Sequence, residues 1–395
     1  CIRDRATTEM KHTYMINIRP ANKRKGGKMP VKNLPVAEAM ESTPVPHGPR
    51  RISRREFLTG AAAMAAGLLV GCDSAAPRIP DSDIRRPDVI RFYPDVPSRV
   101  VHTHHAGVWT GTPRGDLEDD ALLSTGALRQ MLDASITELT GLADAGDAWA
   151  ALFSPEERVA IKVCTYGGGR GSSEIFTHVP LAMAVVDCLQ DVGIPPEQIV
   201  IYDRQTAELE GAGFTINRRD PGARCYATGY EGSWDLMGDN IKLASVLLQC
   251  DALINIPLLK AHGIGGMTFA MKSHYGSFNR PQDFHQGKIE RAIAELNALE
   301  PIRKRTRLTI GDALVASTRA HSSRPYWTLD VVGDAILMSF DPVAHDTVGL
   351  QILNDLAAGN RSIARIAEKW LKNAADLGLG TNDPANIDVV ELNLG

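Results

Sequence analysis

The stretch Gln198-Ile199-Val200-Ile201-Tyr202-Asp203 decides the fold. Its apolar run is too short for a helix and does not alternate with polar residues. A strand that is apolar at every position is buried on both faces, as in a parallel sheet covered by helices. Related runs occupy Arg99–Thr103, Arg158–Cys164, Ala252–Ile256, Leu308–Asp312, Ala335–Ser339 and Ile387–Leu392. Between them, residues 124–141, 178–192, 287–299, 343–357 and 361–377 carry apolar side chains at helical spacing. The alternation predicts an α/β fold: a mostly parallel or mixed sheet with helices on both faces. Asp341-Pro342 is expected to form an N-cap followed by proline at the first helical position. Thr177 is expected to cap the helix with Pro180 in its first turn, and a minor boundary is expected near 205–240.

Composition narrows the function classes. The chain has 395 residues, 44% hydrophobic and 6% aromatic, with 43 Lys+Arg against 47 Asp+Glu. These values exclude a disordered chain, a collagen and a multi-spanning membrane protein. Residues 1–72 hold 13 basic and 5 acidic side chains, leaving 30 and 42 for the rest, so the body is near −12. An acidic body argues against nucleic-acid binding, which needs a positive stripe.

The basic leader has its own signal. Ser53-Arg54-Arg55-Glu56-Phe57-Leu58 reads as a twin-arginine export motif at Arg54 and Arg55. The apolar run that follows, Phe57 to Gly71, would span roughly 22 Å as a helix, short of a bilayer core of about 30 Å. It ends in Leu69-Val70-Gly71-Cys72, similar to a bacterial lipobox, so Cys72 is expected to be lipidated. The expected organisation is an upstream extension or n-region over 1–39, a signal with lipobox over 40–72, a tether over 73–97 and one α/β domain over 98–395. The expected location is the cell envelope, anchored by lipid on the outer (periplasmic) side of the cytoplasmic membrane. The translocase and the membrane are the implied partners. Twin-arginine export carries folded proteins, which raises the odds of a metal or organic cofactor.

In open parallel sheets, ligands bind beyond the carboxyl ends of the strands. Cys164, Asp203 and Asp312 close three strands; for the two aspartates, a capping role and a functional one weigh equally. Lys162 lies inside the otherwise apolar Val159-Ala160-Ile161-Lys162-Val163, where it must snorkel, meet a carboxylate or hold an anion. The densest constellation runs from Lys260 to His285 and holds Lys260, His262, Thr268, Lys272, His274, Arg280 and His285. Gly265-Gly266 are expected to lead into a helical turn over Met267–Met271, whose amides would attract an anion. Thr268 and Lys272, four apart, would share a face. Gly167-Gly168-Gly169-Arg170-Gly171-Ser172-Ser173 lacks the lysine of a phosphate-binding loop and is expected to form a flexible lip. His102 and His104 would project from one strand face, as zinc, copper or nickel ligands can, but no partner carboxylate is visible near them in sequence. His345-Asp346 is a helical pair with either a packing or a ligand role. Six cysteines occur without any CxxC, so there is no local iron–sulfur or zinc-ribbon motif; Cys188 and Cys250 read as core residues, and a disulfide among the body cysteines stays open.

The order Ile161-Lys162, Thr177-His178, Asp203, Asp251 to Ile254, Asn255-Ile256-Pro257-Leu258-Leu259-Lys260-Ala261-His262, Met267-Thr268 through Lys272, His285, Gly311-Asp312 and Asp341-Pro342-Val343-Ala344-His345-Asp346 resembles the domain-of-unknown-function 362 family. The resemblance covers about residues 98–393. Some members carry ferredoxin-type modules, for which this sequence has no motif. It departs from the family in having Lys162-Val163-Cys164 for Lys-Pro-Asn and Ser273 where asparagine is usual. A fainter resemblance, to the amino-terminal domain of nickel-pincer lactate racemases, implies a rim of Lys and His side chains able to hold an anionic cofactor or a hydroxy acid.

The expected function is therefore an exported, membrane-anchored lipoprotein with an anion- or metal-cofactor-binding site at the strand carboxyl ends. It is expected to be an enzyme acting on a small anionic ligand. Lys162, Lys260, Thr268 and Lys272 would bind the anion, His262 or His274 would move protons, and Asp312 or Asp346 would orient a histidine or ligate a metal. The other reading is a non-catalytic metal- or cofactor-binding accessory protein for a redox partner.

Overall fold

The computed structural model describes residues 50–51, 97–321, 323–357 and 361–395. The export motif at Arg54 and Arg55, the lipidation site at Cys72, the extension over 1–39 and the tether up to 96 lie outside the described residues.

The strands follow the apolar runs. In chain order they are β1 (Ser98–His105), β2 (Val159–Val163), β3 (Ile199–Asp203), β4 (Arg224–Ala227), β5 (Tyr230–Leu236), β6 (Asp239–Ala244), β7 (Ala252–Ile256), β8 (Leu258–His262), β9 (Gly266–Thr268), β10 (Thr306–Ser317), β11 (Val331–Ser339) and β12 (Ile387–Leu394). The main sheet runs β12-β1-β11-β10-β7-β2-β3-β4. Pairing is parallel from β10 through β4 and between β12 and β1, and antiparallel on both sides of β11. Strands β8 and β9 and the two-residue strand Arg50–Arg51 join at the side, and β5–β6 forms a separate hairpin.

β2, β3 and β7 are buried at every residue. Their side chains alternate between two cores. Ala160, Val200, Tyr202 and Leu253 pack into one, while Val159, Ile161, Ile199, Ile201, Ala252 and Ile254 pack into the other. A period of two with both faces apolar is what lets helices cover both sides. Each fully buried Val or Ile contributes about 1.5–3 kcal/mol.

The helices are α1 (Thr125–Thr140), α2 (Ala145–Leu152), α3 (Val179–Asp191), α4 (Thr206–Glu210), α5 (Ser245–Gln249), α6 (Ala270–Ser273), α7 (Ile289–Ala298), α8 (Glu300–Arg305), α9 (Pro342–Leu356) and α10 (Arg361–Asp376). Helices α1, α2 and α3 pack into one core, and α7, α9 and α10 into the other. Asp341 caps α9 as expected, accepting from the amides of Val343 and Ala344 with Pro342 behind it. Thr177 does not cap α3. Its hydroxyl accepts from the Cys164 amide and donates to the Ile256 carbonyl, tying β2 to β7. The start of α3 is met instead by carboxylates: Asp312 accepts from the His178 amide and Asp120 from that of Val179.

One irregularity builds the rim. Pro257 interrupts what would be a single long strand, because it has no amide to continue the ladder. Before it, β7 pairs with the first half of β10; after it, β8 pairs with the second half, Asp312 opposite Leu258 and Ser317 opposite Lys260. The Pro257 carbonyl still accepts from Asp312 at 2.8 Å. The chain beyond β8 returns as β9, with Thr268 opposite Lys260. Gly265-Gly266 thus lead into a strand, and helix begins only at Ala270, so the expected helical turn over Met267–Met271 is corrected. Gly266, at φ 78°, makes the reversal. The cysteines Cys164, Cys188, Cys225 and Cys250 are buried and unbridged.

Candidate functional site

A cavity of about 900 Å³ opens at the carboxyl ends of β2, β3 and β8. It is walled by residues from the β8–β9 turn, α6 and the loops at 281–286 and 320–327. Lys162, Lys260, His262, Thr268 and Lys272 all line it. Strand β2 delivers Lys162, β8 delivers Lys260 and His262, and the chain from β9 into α6 delivers Thr268 and Lys272.

The three lysines differ in their partners. Lys162 Nζ lies 3.0 Å from Asp203 Oδ1 and donates to the Val163 carbonyl at 2.6 Å. Asp203 in turn accepts from the amide and hydroxyl of Thr165 and the amide of Arg204. Of the roles weighed for Lys162, the structure shows the ion pair. Gly276 makes room for it: a Cβ there would stand 2.5 Å from Asp203 Oδ1 and 2.8 Å from Lys162 Cε.

Lys260 and Lys272 have no carboxylate within ion-pair distance among the described residues. Lys260 Nζ is fully buried without a hydrogen-bond partner, 4.3 Å from the centre of the Trp327 ring. Burial pushes its pKa down. Lys272 Nζ sits 4.8 Å from the Tyr275 ring centre. Burial holds Lys272 down at about 7, and the Lys260 charge adds to that effect. Aromatic faces give both ammonium groups partial compensation without neutralising them.

Three histidines line this cavity, and the backbone holds two of them, His262 and His285, in opposite tautomers. His262 Nδ1 accepts from the amides of Ile264 and Gly265, at 3.2 and 2.9 Å, so the neutral ring carries its proton on Nε2. His285 Nδ1 stands 2.7 Å from the Pro281 carbonyl and must donate, which leaves Nε2 as a lone pair. The ring centres are 5.8 Å apart. Burial, with Lys272 next, keeps His262 well below the usual imidazole range and His285 at about 4. Both rings are therefore neutral at working pH: one offers a donor, the other an acceptor. Glu208, also on the wall, is nearly fully buried, and burial followed by Asp203 pushes its pKa up.

Three expected site residues do not line this cavity. Asp312 is wholly buried and accepts from the amide and Nδ1 of His178, at 2.9 and 2.8 Å, and from the Leu314 amide. Asp346 accepts from the amides of Ala270 and Met271 at the start of α6 and contacts His345 Nδ1 at 3.0 Å. His274 is 1% exposed and held at about 3 by burial and then Lys162, with Ser277 at 3.2 Å. All three lie in the interior, each engaged by protein partners. The glycine loop contributes only its neighbour Tyr166 to the wall. Its Gly168 instead packs against α4, where a Cβ would stand 2.2 Å from the Glu208 carbonyl.

Sequence reading gave too little weight to His285 and did not find Trp327, whose indole donates to the Ala261 carbonyl at 2.6 Å. Nothing near Trp327 in sequence marks it, because the contact spans 66 residues.

Residues 159–351 match the family profile described as "Domain of unknown function (DUF362)". Among solved structures, the chain is similar to the lactate racemase apoprotein from Thermoanaerobacterium thermosaccharolyticum, with 11% identity over 58% of this chain and 55% of that one, at a TM-score of 0.39. It is also similar to a Thermotoga maritima protein, with 10% identity over 64% of this chain and 59% of that one, at a TM-score of 0.31. The chain thus spans less than two thirds of either. No curated protein matches it.

Proposed function

Starting from a chain that belongs to the domain-of-unknown-function 362 family through residues 159–351, we propose that its rim cavity binds a small anion and moves a proton on it. The carrying observation is the pair Lys260 and Lys272, two buried amines with no carboxylate partner among the described residues, facing one cavity. An unpaired buried charge costs several kcal/mol, and a carboxylate or phosphate between the two would offset that cost. Thr268, beside Lys260 in the hairpin, adds a hydroxyl donor. His285 Nε2 is the acceptor for a substrate proton, and His262 Nε2–H donates to the oxygen on which charge develops. The Lys162–Asp203 pair supports the floor.

The cavity volume favours a second reading. About 900 Å³ lies near the upper end for ligand sites, so an organic anionic cofactor would also fit, and the protein would then act as its carrier. We assign the site to the outer face of the cytoplasmic membrane, reached by twin-arginine export and held by lipid at Cys72; the leader residues quoted above support this.

Calorimetry with phosphate, a 2-hydroxy acid and a 2-oxo acid tests the site. Saturable binding of at least one, weakened more than tenfold in both Lys260→Met and Lys272→Met, is expected. No binding at millimolar anion, or equal binding in both variants, overturns the reading. Turnover of a bound acid separates enzyme from carrier.

A further inference from the structure

A second cluster of titratable groups lies on the other half of the sheet, on β1, β11 and β12, away from the lysine cavity. His102 and His104 are two apart on β1 and so share one face. The parallel neighbour β12 sets Glu391 directly opposite His102. The antiparallel neighbour β11 sets Ala335 opposite His104, which brings Asp334 alongside. The sequence showed the histidine pair without a carboxylate; strand register supplies two.

The distances converge. His102 Nδ1 is 2.9 Å from Glu391 Oε1, and His104 Nε2 is 3.4 Å from Glu391 Oε2. The imidazole centres are 4.3 Å apart. One ligand atom from each of His102, His104 and Glu391 falls within 4.8 Å of the others. Tetrahedral ligands at about 2.0–2.1 Å from zinc stand about 3.3 Å from one another, so small side-chain rotations close this set around an ion. His104 Nδ1 lies 2.7 Å from Asp334 Oδ1. A carboxylate on the far nitrogen fixes the ring so that Nε2 points at the ion, as carboxylate partners do for metal-bound histidines. The imidazoles are buried, while the Glu391 and Asp334 side chains are 26% and 37% exposed.

The geometry points to a divalent transition-metal site formed by His102, His104 and Glu391, oriented by Asp334. Two imidazoles and one carboxylate suit zinc, cobalt or nickel rather than magnesium or calcium. Among the described residues three side chains are placed to ligate, one fewer than the four a tetrahedral ion takes. The site is independent of the lysine cavity, so either can fail without the other.

The test uses untagged full-length chain, stripped with chelator and titrated with cobalt(II) and zinc(II). One equivalent of cobalt should give the visible absorption of a four-coordinate ion, zinc should displace it, and zinc should raise Tm by several degrees. His104→Ala and Glu391→Gln should lose these signals, and Asp334→Asn should weaken affinity about tenfold with the spectrum kept. Variants are accepted only if circular dichroism and anion binding at the lysine cavity are unchanged; for any that fails, His102→Gln replaces it. No saturable cobalt binding, or binding that survives both ligand substitutions, overturns the assignment.

Discussion

Anion binding to this protein should take up a proton, with a step near pH 7 that Lys272 sets. Burial and the neighbouring Lys260 charge lower Lys272 from 10.5 to about 7. In the empty cavity at pH 8, about nine molecules in ten then hold Lys272 as a neutral amine. A carboxylate or phosphate placed against it favours the ammonium form and restores its basicity. Binding should therefore take up about 0.9 proton at pH 8, about 0.5 at pH 7 and about 0.1 at pH 6. Burial lowers Lys260 as well, and whatever it adds follows the same sign. Neither His285, at about 4, nor His262, well below its ordinary value, titrates in this window, and His321→Gln controls for the third histidine on the wall. Calorimetry of one anion in two buffers of different ionisation enthalpy, repeated at each pH, measures the uptake directly. Glu208→Gln controls for a buried acid on the wall whose pKa is raised. Lys272→Met should remove the step centred near pH 7. Uptake that is flat from pH 6 to 8, or a step that persists in Lys272→Met, refutes the reasoning.

The same shift predicts stability. The unfolded chain holds Lys272 charged up to about 10.5 while the folded chain releases its proton near 7, so the unfolded state binds more protons between these values and stability rises with pH there. The penalty is full below pH 7, on the order of 5 kcal/mol at about 1.4 kcal/mol per unit; urea unfolding of Lys272→Met should show a gain at pH 6 that shrinks towards pH 10. Asp346→Ala strips the acceptor from two buried amides at α6 and should cost about 3 kcal/mol, read by the same method. Gly276→Ala should push Lys162 from Asp203 and weaken anion binding several-fold while the cobalt signal is retained. Replacing Arg54 and Arg55 by lysine should keep the protein in the cytoplasm, and Cys72→Ser should release it from the membrane; fractionation reads both.

Most of the sheet was legible because its central strands are apolar on both faces, a pattern that tertiary context cannot easily redirect. Residues 159–163, 199–203 and 252–256 could not satisfy a helix of useful length, and their burial is complete. The stretch beyond Pro257 was less legible. Leu258–His262 is a strand only because β10 runs 12 residues and offers a second half to pair with. Met267–Met271 carries helical spacing, yet its first half is claimed by the hairpin with β8. In both places a long-range partner decided the local structure, and no local pattern encodes that partner.

The site was half legible for a chemical reason. Asp203, Asp312 and Asp346 each stood where a functional carboxylate would stand, and each accepts backbone amide hydrogens. A helix start leaves several amides unpaired, and a buried aspartate is the ready acceptor for them, so its position alone does not separate capping from catalysis. Lysine has no such second use. It carries only donors, and in a sheet most carbonyls that could receive them are already paired in the ladder. A lysine buried at the rim must therefore meet an acid, as Lys162 meets Asp203, or face a space where something else will meet it. Lys260 and Lys272 are in the second condition. By the same logic, a variant that supplies the missing acid, Thr268→Glu opposite Lys260 in the hairpin, should fold at least as stably as the parent and compete with every added anion. If Thr268→Glu binds anions unchanged, the two amines are not what holds them.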